Sequence, residues 1–369
     1  MKRILATAAA LAVGFGATAA MAGDVTISVS GPFTGSLASF GVQLKTGAEA
    51  AVKDINAAGG INGSMVKVVY GDDACDPKQA VAVANKNAAD KVSAVIGHFC
   101  SGSSIPASKV YEEAGIVQIS AASTNPDFTD KGGWNVHRVC GRDDAQGRVA
   151  GAFLAKKYAG KAIAILHDKS AYGKGLADQT KMAANAAGLT EAMYEAINPG
   201  EKDYTAVVSK LKEAKVEAVY LGGYHPEGGL IQRQMREQGL KAQLIMGDSV
   251  NTKEFWAITG DSGEGMLFTF APDPQKFPEA KAVVDGIKAG GGNPEGYTLY
   301  SYAAIQSWAA AAKATGGFDS HKIAEWLRAG NELNTVIGKI KMDKKGDIID
   351  PVYVFYAWSK GEYAETMTP

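Results

Sequence analysis

The sequence predicts an α/β protein with two lobes, and three observations lead to this fold class. Short β-rich runs alternate with amphipathic helical stretches, the order typical of parallel sheets covered by helices. Some of the β-rich runs are continuously apolar, such as AIAIL at 162–166, and such strands are covered on both faces. About eight strand–helix units exceed what one hydrophobic core holds, so the 369 residues divide into two lobes.

The elements follow one another regularly along the chain. The predicted strands lie at 25–30, 66–70, 94–98, 117–120, 162–167, 218–222, 243–246 and 266–270. The predicted helices lie at 47–58, 77–89, 105–114, 146–157, 176–187, 204–214 and 229–238. Several of these helices are followed by a glycine, the residue preferred where a helix ends in a left-handed turn; these are Gly59, Gly115, Gly188 and Gly239.

Segments rich in Gly, Pro or Asp near 140–144, 270–274 and 346–350 indicate where the chain passes between the lobes. In open α/β sheets ligands bind beyond the carboxyl ends of the strands. We therefore expect a ligand in the cleft between the two lobes.

The first 22 residues have the pattern of a cleaved export signal. Lys2 and Arg3 precede an apolar run at 4–20, and AMA at 20–22 fits the small-residue cleavage rule. An uncleaved membrane anchor is the alternative, but the run is short and interrupted by glycine. No later segment has about 18 consecutive apolar residues, so we expect no membrane insertion after cleavage.

Charge and cysteine content limit the classes of function that the protein can have. Without the leader the chain has 36 basic and 39 acidic residues, a balance of −3, and no basic run that would bind nucleic acid. The three cysteines of an exported chain allow one disulfide and leave one thiol, but their spacing does not choose the pair. No two Cys or His have the spacing of zinc ligands, so we expect no metal and no cofactor.

No constellation of catalytic residues is apparent. The sequence GDSG at 260–263 resembles a serine-protease loop but lies in a chain that is not all-β, and we interpret it as a turn. His98 and His167 end predicted strands, where a structural hydrogen-bonding role is expected. Asp72 and Asp73 are interpreted as a solvated turn at a strand end rather than a metal site. The protein is therefore not expected to be an enzyme.

A family resemblance runs along the whole mature chain in order. The segments that carry it are SGP at 30–32, AEAAVKDIN at 48–56, GGI at 59–61, GDDACDPKQA at 71–80, IGHFCS at 96–101, HDK at 167–169, YG at 172–173, GGYHPE at 222–227 and KGD at 345–347. Together they closely resemble periplasmic leucine/isoleucine/valine-binding proteins.

The resemblance implies two Rossmann-like lobes with central parallel sheets, joined by three crossover strands. The first lobe then comprises 24–142 and 272–347, and the second comprises 143–271 and 348–369. It also implies a monomeric periplasmic receptor that binds a free amino acid and passes it to an inner-membrane ABC permease. A sensory or chemotaxis partner and a receptor for amides or ω-amino acids are alternatives on the same fold. An enzyme acting on an amino acid or amide is the alternative from another class.

The resemblance assigns both charged ends of the amino acid. Cys100-Ser101 and the segment from Ala122 to Thr124 match the α-carboxylate clamp, in which hydroxyls and backbone N–H groups at helix starts favour negative charge. The carbonyl of Ala122, the hydroxyl of Thr124 and the carboxylate of Asp248 match the acceptors of the α-ammonium. The alternatives are helix caps for the hydroxyls and a surface turn for Asp248, which is one methylene shorter than the Glu of many relatives.

The remaining predicted contacts are aromatic. Tyr172 and Tyr224 match tyrosines that cover the ligand, while Phe40, Phe99 and Tyr297 line the pocket for its side chain. The bulk at Phe99 and Tyr297 favours smaller aliphatic amino acids, or a short ω-amino acid, beside or instead of leucine. Ordinary core packing is the alternative for Phe40 and Phe99.

The resemblance also pairs two of the cysteines. The family's disulfide matches Cys75 and Cys100, closes a loop of about 25 residues and stabilises the first lobe by about 3 kcal/mol. Cys140 is then expected to be a free, buried thiol.

Overall fold

The computed structural model describes residues 23–367. The predicted leader at 1–22 lies outside the described residues. Among the helices that the structure describes, none combines the length and the apolar character that a membrane crossing requires.

Fourteen strands and twelve α-helices are defined within the described residues. The strands are β1 (Val25–Gly31), β2 (Val66–Asp72), β3 (Ala94–Gly97), β4 (Val117–Ser120), β5 (Val136–Arg138), β6 (Ile163–His167), β7 (Met193–Ala196), β8 (Ala218–Gly222), β9 (Gln243–Met246), β10 (Leu267–Phe270), β11 (Leu333–Thr335), β12 (Gly338–Ile340), β13 (Val354–Ser359) and β14 (Glu362–Met367). The helices are α1 (Ala38–Ala57), α2 (Pro77–Ala89), α3 (Ser101–Glu113), α4 (Asp127–Asp130), α5 (Asp143–Lys157), α6 (Ala171–Ala186), α7 (Thr205–Glu213), α8 (His225–Glu237), α9 (Lys253–Thr259), α10 (Lys281–Ala289), α11 (Thr298–Thr315) and α12 (Ser320–Arg328).

The first sheet has the order β2-β1-β3-β4-β5, and every neighbouring pair is parallel. Helices α1, α2, α3, α11 and α12 pack around it, and α10 packs on α1. The contact between α1 and α11 depends on Gly47, because a Cβ there would lie 2.0 Å from the carbonyl oxygen of Thr298. We call this sheet and its helices the first lobe.

The second sheet has the order β14-β13-β10-β9-β8-β6-β7. Its five strands from β6 to β10 are parallel, whereas β13 and β14 form an antiparallel hairpin at the β10 edge. Helices α5 and α6 pack against each other beside this sheet. We call this sheet and its helices the second lobe. The predicted α/β class with two central parallel sheets is confirmed.

The chain passes between the two lobes three times. It leaves the first lobe after β5, returns after β10, and leaves again between β12 and β13. Phe153 on α5 packs on Phe355 of β13 with ring centroids 4.4 Å apart, so the last passage brings the C-terminal hairpin into the second lobe. The exact boundaries at 142, 271 and 347 stay a prediction.

Most predicted elements are observed to within a few residues, with one clear error at α1. This helix begins at Ala38, nine residues before the predicted start. Gly41, near the true start, lowers helix propensity, which explains why the predicted start is too late. Gly41 is required by packing, because a Cβ there would lie 2.2 Å from the carbonyl oxygen of Pro32.

Candidate functional site

The predicted site residues meet where the strand ends of the two lobes face each other. In the first lobe Phe99 and Ala122 follow the ends of β3 and β4, and in the second lobe Tyr224 and Asp248 follow the ends of β8 and β9. A cavity of about 10 Å³ lies between them. It is lined by Phe99, Ser101, Ala122, Tyr172, Tyr224, Asp248 and Ser249.

The first-lobe wall of the cavity is presented by the start of α3. Cys100 is the N-cap of this helix and Ser101 is its first residue. The predicted disulfide between Cys75 and Cys100 is present, with Cα atoms 5.6 Å apart. This covalent link holds the helix start, whose free backbone N–H groups and dipole favour an anion, to the end of β2.

A dense network of neutral groups fixes the segment after β4. The Ser123 hydroxyl lies 2.6 Å from the Ser104 hydroxyl and donates to the Phe99 carbonyl at 2.9 Å. The Ser123 amide donates to the Ser120 hydroxyl at 2.9 Å. Buried hydrogen bonds of this kind leave little freedom to the backbone, so Ala122 and Thr124 on either side of Ser123 are held in place.

Thr124 lies behind the cavity wall rather than on it. The residue is fully buried, and its hydroxyl makes no hydrogen bond of ordinary geometry among residues 23–367, although it lies close enough to the Asp143 carboxyl group to lower the pKa of that group. A buried hydroxyl that is not fully satisfied costs about 1–3 kcal/mol, so this group is available to a bound molecule. Whether Thr124 contacts a ligand stays a prediction.

Three aromatic rings form the floor beside this wall. Phe40 on α1 stacks on Phe99 with ring centroids 4.4 Å apart and an angle of 14° between the planes. Tyr297 meets Phe99 edge-on at 5.3 Å. All three side chains are buried, and Phe40 and Tyr297 lie outside the set that lines the cavity. They define the shape of the pocket by supporting Phe99.

The second lobe contributes two tyrosines at a fixed spacing. Tyr172 and Tyr224 have ring centroids 5.1 Å apart and are both buried. Their backbones approach closely at two glycines, because a Cβ on Gly222 would lie 2.0 Å from the carbonyl oxygen of Gly173. Only glycine fits at Gly222, and this close contact sets the positions from which both rings reach the cleft.

Asp248 is the central charged group of the site. Its side chain is buried, and it accepts a hydrogen bond from the Tyr172 hydroxyl at 3.0 Å and another from the Tyr297 hydroxyl. Burial raises the pKa of Asp248 above its ordinary value, although the hydrogen bond from Tyr297 opposes that rise. Burial, followed by the nearby charge of Asp248, raises the pKa of both tyrosines well above their ordinary value. The arrangement can therefore hold a cation that offsets the buried carboxylate.

Asp143 is a second buried acid that sequence reasoning missed. It is the first residue of α5, is fully buried, and neither of its carboxylate oxygens makes a hydrogen bond within the described part of the chain. Burial, and next the charge of Asp248, raise the pKa of Asp143 well above its ordinary value. Its backbone N–H donates to the Thr124 carbonyl at 2.9 Å, so it lies directly beside the predicted ammonium acceptors. Ser249 was also missed, although it follows Asp248 directly.

The structure also tests the sequence predictions for Asp73, His98 and Cys140. Asp73 is fully buried and lies 2.5 Å from Nδ1 of His98, so the prediction of a solvated turn is wrong for this residue. The ring of His98 also contacts the Tyr111 hydroxyl at 3.0 Å, which is the structural role expected for this histidine. Cys140 is a buried free thiol, as predicted. Among the described residues no group of three or more His, Cys, Asp or Glu is arranged to hold a metal ion.

The two lobes are in contact across the cleft. The Asn125 side-chain amide donates to the Ala171 carbonyl at 2.6 Å, and the Gln43 side-chain amide donates to the Asn251 carbonyl at 3.3 Å. The hydrogen bond between Tyr297 and Asp248 also crosses the cleft. The conformation is therefore a closed one.

Comparison with known proteins agrees with this geometry. The family model described as "Periplasmic binding protein" matches residues 24–362. The chain belongs to the periplasmic binding protein family. Members of this family are solute-binding receptors. Two lobes that close on a buried cleft are the architecture with which such receptors enclose a solute.

Individual members of the family cover nearly all of this chain. The "Leu/Ile/Val-binding protein homolog 1" of Brucella suis is 49% identical over 98% of this chain and 97% of its own length. The "Amino acid binding protein" of Pseudomonas aeruginosa is 51% identical over the same shares of the two chains. The branched-chain amino acid transporter substrate binding protein of Streptococcus pneumoniae, solved in complex with isoleucine, superposes with a TM-score of 0.85. It is 26% identical, and the match covers 94% of this chain and 100% of that one.

Proposed function

We propose that this protein is a periplasmic receptor that binds a free aliphatic amino acid between its lobes and delivers it to an ABC permease. The observation that carries the proposal is Asp248, a buried carboxylate in the closed cleft that is contacted by tyrosines of both lobes. A buried acid facing a wall of neutral donors suits a molecule that carries one positive and one negative end.

The ligand carboxylate is proposed to lie at the start of α3. The Ser101 hydroxyl and the free backbone N–H groups at this helix start can donate to a carboxylate, and each charge-assisted hydrogen bond contributes about 1.5–3 kcal/mol. The α-ammonium is proposed to bind Asp248, the carbonyl of Ala122 and the hydroxyl of Thr124, which has no hydrogen-bond partner within residues 23–367.

The side-chain pocket supports a small or branched aliphatic ligand. The names of the Brucella relative and the isoleucine complex of the Streptococcus protein support the branched-chain class. Phe99, which is packed between Phe40 and Tyr297, fills space on the first-lobe side. Alanine, valine and short ω-amino acids are therefore proposed beside leucine, with modest discrimination because one methylene in a pocket is worth only about 1–3 kcal/mol.

The proposed mechanism is closure of the cleft without chemistry on the ligand. The cavity is enclosed by lobes that are hydrogen-bonded to each other across the cleft, so the lobes have to separate before an amino acid enters. A ligand that touches both lobes then shifts the population toward the closed form. The ligand is expected to leave unchanged, the receptor to act as a monomer, and its disulfide suits the oxidising periplasm.

Calorimetry combined with solution scattering tests this function. The chain from residue 23 is denatured and refolded to remove co-purified ligand, and is then titrated with the common amino acids and 4-aminobutyrate. We expect heat of binding for aliphatic amino acids and a smaller radius of gyration in their presence. Recovery of the ligand by chromatography checks that it is unchanged. Absence of heat with every candidate, together with an unchanged radius of gyration, would contradict the proposal.

A further inference from the structure

Arg138, at the end of β5, is a fully buried arginine directed at the segment that carries the predicted ligand contacts. Its Nη1 donates to the Ser123 carbonyl at 2.5 Å and to the Asn125 carbonyl at 3.1 Å. Its Nη2 donates to the Asn125 carbonyl at 3.1 Å and to the Thr129 hydroxyl at 2.8 Å. The planar guanidinium therefore binds the backbone on both sides of Thr124 at the same time.

The backbone of Thr124 is held from its other side as well. While the carbonyls of Ser123 and Asn125 accept from Arg138, the carbonyl of Thr124 between them accepts from the Asp143 amide at 2.9 Å. Three consecutive carbonyls are thus fixed by partners on two elements, β5 and the start of α5. The Thr124 hydroxyl is left without a partner in the part of the chain that the structure describes. These bonds fix the position of the backbone from which the Thr124 hydroxyl projects.

A dedicated counter-ion balances the buried charge of Arg138. Asp347, which lies in the last segment before the chain returns to the second lobe, accepts from Nε of Arg138 at 2.6 Å. The same carboxylate accepts from Arg142 at 2.7 Å and from the Thr129 hydroxyl at 2.9 Å. A buried arginine needs such pairing, because an unpaired charge in the interior is strongly destabilising. The guanidinium plane also lies over the Phe128 ring, with Cζ 5.3 Å from the ring centroid.

The segment held by Arg138 also contacts the second lobe. Asn125, whose carbonyl accepts two of the guanidinium N–H groups, donates from its side chain to the Ala171 carbonyl at 2.6 Å. Ala171 directly precedes Tyr172, which donates to Asp248. A shift of the backbone at Asn125 would therefore disturb both the ammonium acceptors and a contact made on closure.

We propose that Arg138, paired with Asp347, is a positioning residue that sets the acceptor geometry for the ligand's ammonium at Ala122, Thr124 and Asp248. The inference rests on the proposed function, since it concerns the ammonium end of that ligand. Lysine cannot replace arginine here, because a single ammonium group does not reach two carbonyls and a hydroxyl in one plane.

Arg236 offers a matched control in the second lobe. Its Nη1 donates to the carbonyls of Leu240 and Ala242, so it also holds a turn by two backbone acceptors. It lies near the end of α8, whose first residue His225 is beside the cleft, about 16 Å away at 1.5 Å per helical residue. Arg236→Lys therefore removes an arginine that holds backbone carbonyls at a distance from the site.

The experiment measures binding of L-alanine, L-valine and L-leucine, and of propanoate, 3-methylbutanoate and 4-methylpentanoate, which lack the ammonium group. For Arg138→Lys we expect the Kd of each amino acid that binds to rise at least tenfold, and the preference over the deaminated counterpart to fall at least fivefold. Arg236→Lys should leave both quantities within twofold of wild type. A purely structural role of Arg138 would weaken both ligand types equally and leave the preference unchanged, which would overturn the inference.

Two further readouts keep the outcomes distinct. If the wild-type protein binds none of the amino acids, the proposed function itself fails, whereas normal binding by Arg138→Lys overturns only the positioning role. If thermal melting shows that Arg138→Lys is unfolded, Asp347→Asn takes its place, because it keeps the arginine that donates to the carbonyls and removes the negative charge that pairs with Arg138 and Arg142. It should raise the Kd about threefold or more, and an unchanged Kd would contradict the inference.

Discussion

The two sides of the cleft are built from different chemistry. The first lobe presents neutral groups, namely the start of α3, which a disulfide supports, the ring of Phe99, and a network of serine hydroxyls and carbonyls around Ser123. The second lobe presents aromatic rings and a buried carboxylate, Asp248, whose pKa is raised by burial. In the proposed complex the first lobe offers neutral dipoles to both ends of the ligand, at the start of α3 and at Ala122 and Thr124, whereas the second lobe supplies the charge of Asp248.

Removing the charge of the second lobe should have the largest effect on binding. Asp248→Asn keeps the size of the side chain but removes the charge that faces the ammonium, so we expect the Kd to rise at least 100-fold, a loss of about 3 kcal/mol. Titration calorimetry measures this change. Asp261→Asn, an exposed acid, is the control and should bind normally. A change of less than tenfold would contradict the assignment of the positive end to the second lobe.

Removing the covalent support of the first lobe should mainly affect stability. Replacing both Cys75 and Cys100 with Ser opens a loop of 25 residues, and the chain-entropy relation predicts a loss of about 3.5 kcal/mol in the free energy of unfolding. Chemical denaturation measures it, and thiol counting of the unreduced wild type should find one free cysteine, Cys140. A stability equal to that of the wild type would show that the crosslink does not constrain this lobe.

A buried acid of the second lobe should make the free energy of unfolding of the protein depend on pH. Burial raises the pKa of Asp168 to about 6, with the nearby charge of Glu227 also raising it. The native state then binds more protons than the unfolded state between about pH 4 and pH 6, so stability falls as the pH rises through this window. At pH 8 we expect Asp168→Asn to be up to about 3 kcal/mol more stable than the wild type.

The control for this prediction is the same comparison at acidic pH. At about pH 4, close to the pKa of the unfolded state, the carboxyl group of Asp168 is protonated in the native state and about half protonated in the unfolded state, so most of the advantage of the asparagine should disappear. Asparagine can keep the two hydrogen bonds that Oδ1 accepts from Ser170. Denaturation midpoints at pH 4 and pH 8 provide the measurement. A stability difference that does not change with pH would contradict the buried titration.

Removing one hydroxyl group of the second lobe should have the smallest effect on binding. Tyr172→Phe removes the 3.0 Å hydrogen bond to Asp248 but keeps the ring that covers the cleft. Because the Tyr297 hydroxyl still donates to the same carboxylate, we expect a loss of about 1 kcal/mol and a Kd that rises about fivefold. The matched change Tyr194→Phe, which removes a hydroxyl bonded to Asp178 away from the cavity, should leave the Kd unchanged. Equal effects of the two substitutions would remove the specific role of Tyr172.

The elements with a clear pattern were predictable, and those defined by long-range packing were not. Strands such as β6 and β8 are short apolar runs, and their bounds differ from the prediction by at most one residue. Helix α11 was missed because it is buried on nearly every side and lacks the polar face that makes a helix periodic. The hairpin of β13 and β14 was missed because its place at the edge of the second sheet depends on pairing with β10.

Some site residues were predictable from the family resemblance, and others were not. The resemblance supplied Ser101, Asp248 and the disulfide, and the structure brings their surroundings together around one cavity. Neither Arg138 nor Asp143 was selected, because their roles depend on contacts with the backbone of residues 123–125, which the sequence does not reveal. Asp73 was interpreted as solvated because its partner His98 lies 25 residues away in the chain.

The close contact of Gly222 with Gly173 limits how this receptor can be adapted to other solutes. Any larger residue at Gly222 would collide with a carbonyl oxygen, so the spacing of the two tyrosines above it cannot be tuned by substitution there. Variation in cargo is therefore expected on the opposite side of the cleft, where the side chain of Phe99 lines the cavity and no backbone collision of this kind fixes it. A biosensor engineered from this protein would therefore keep Tyr172 and Tyr224 and vary the side chains on the first-lobe side of the cleft.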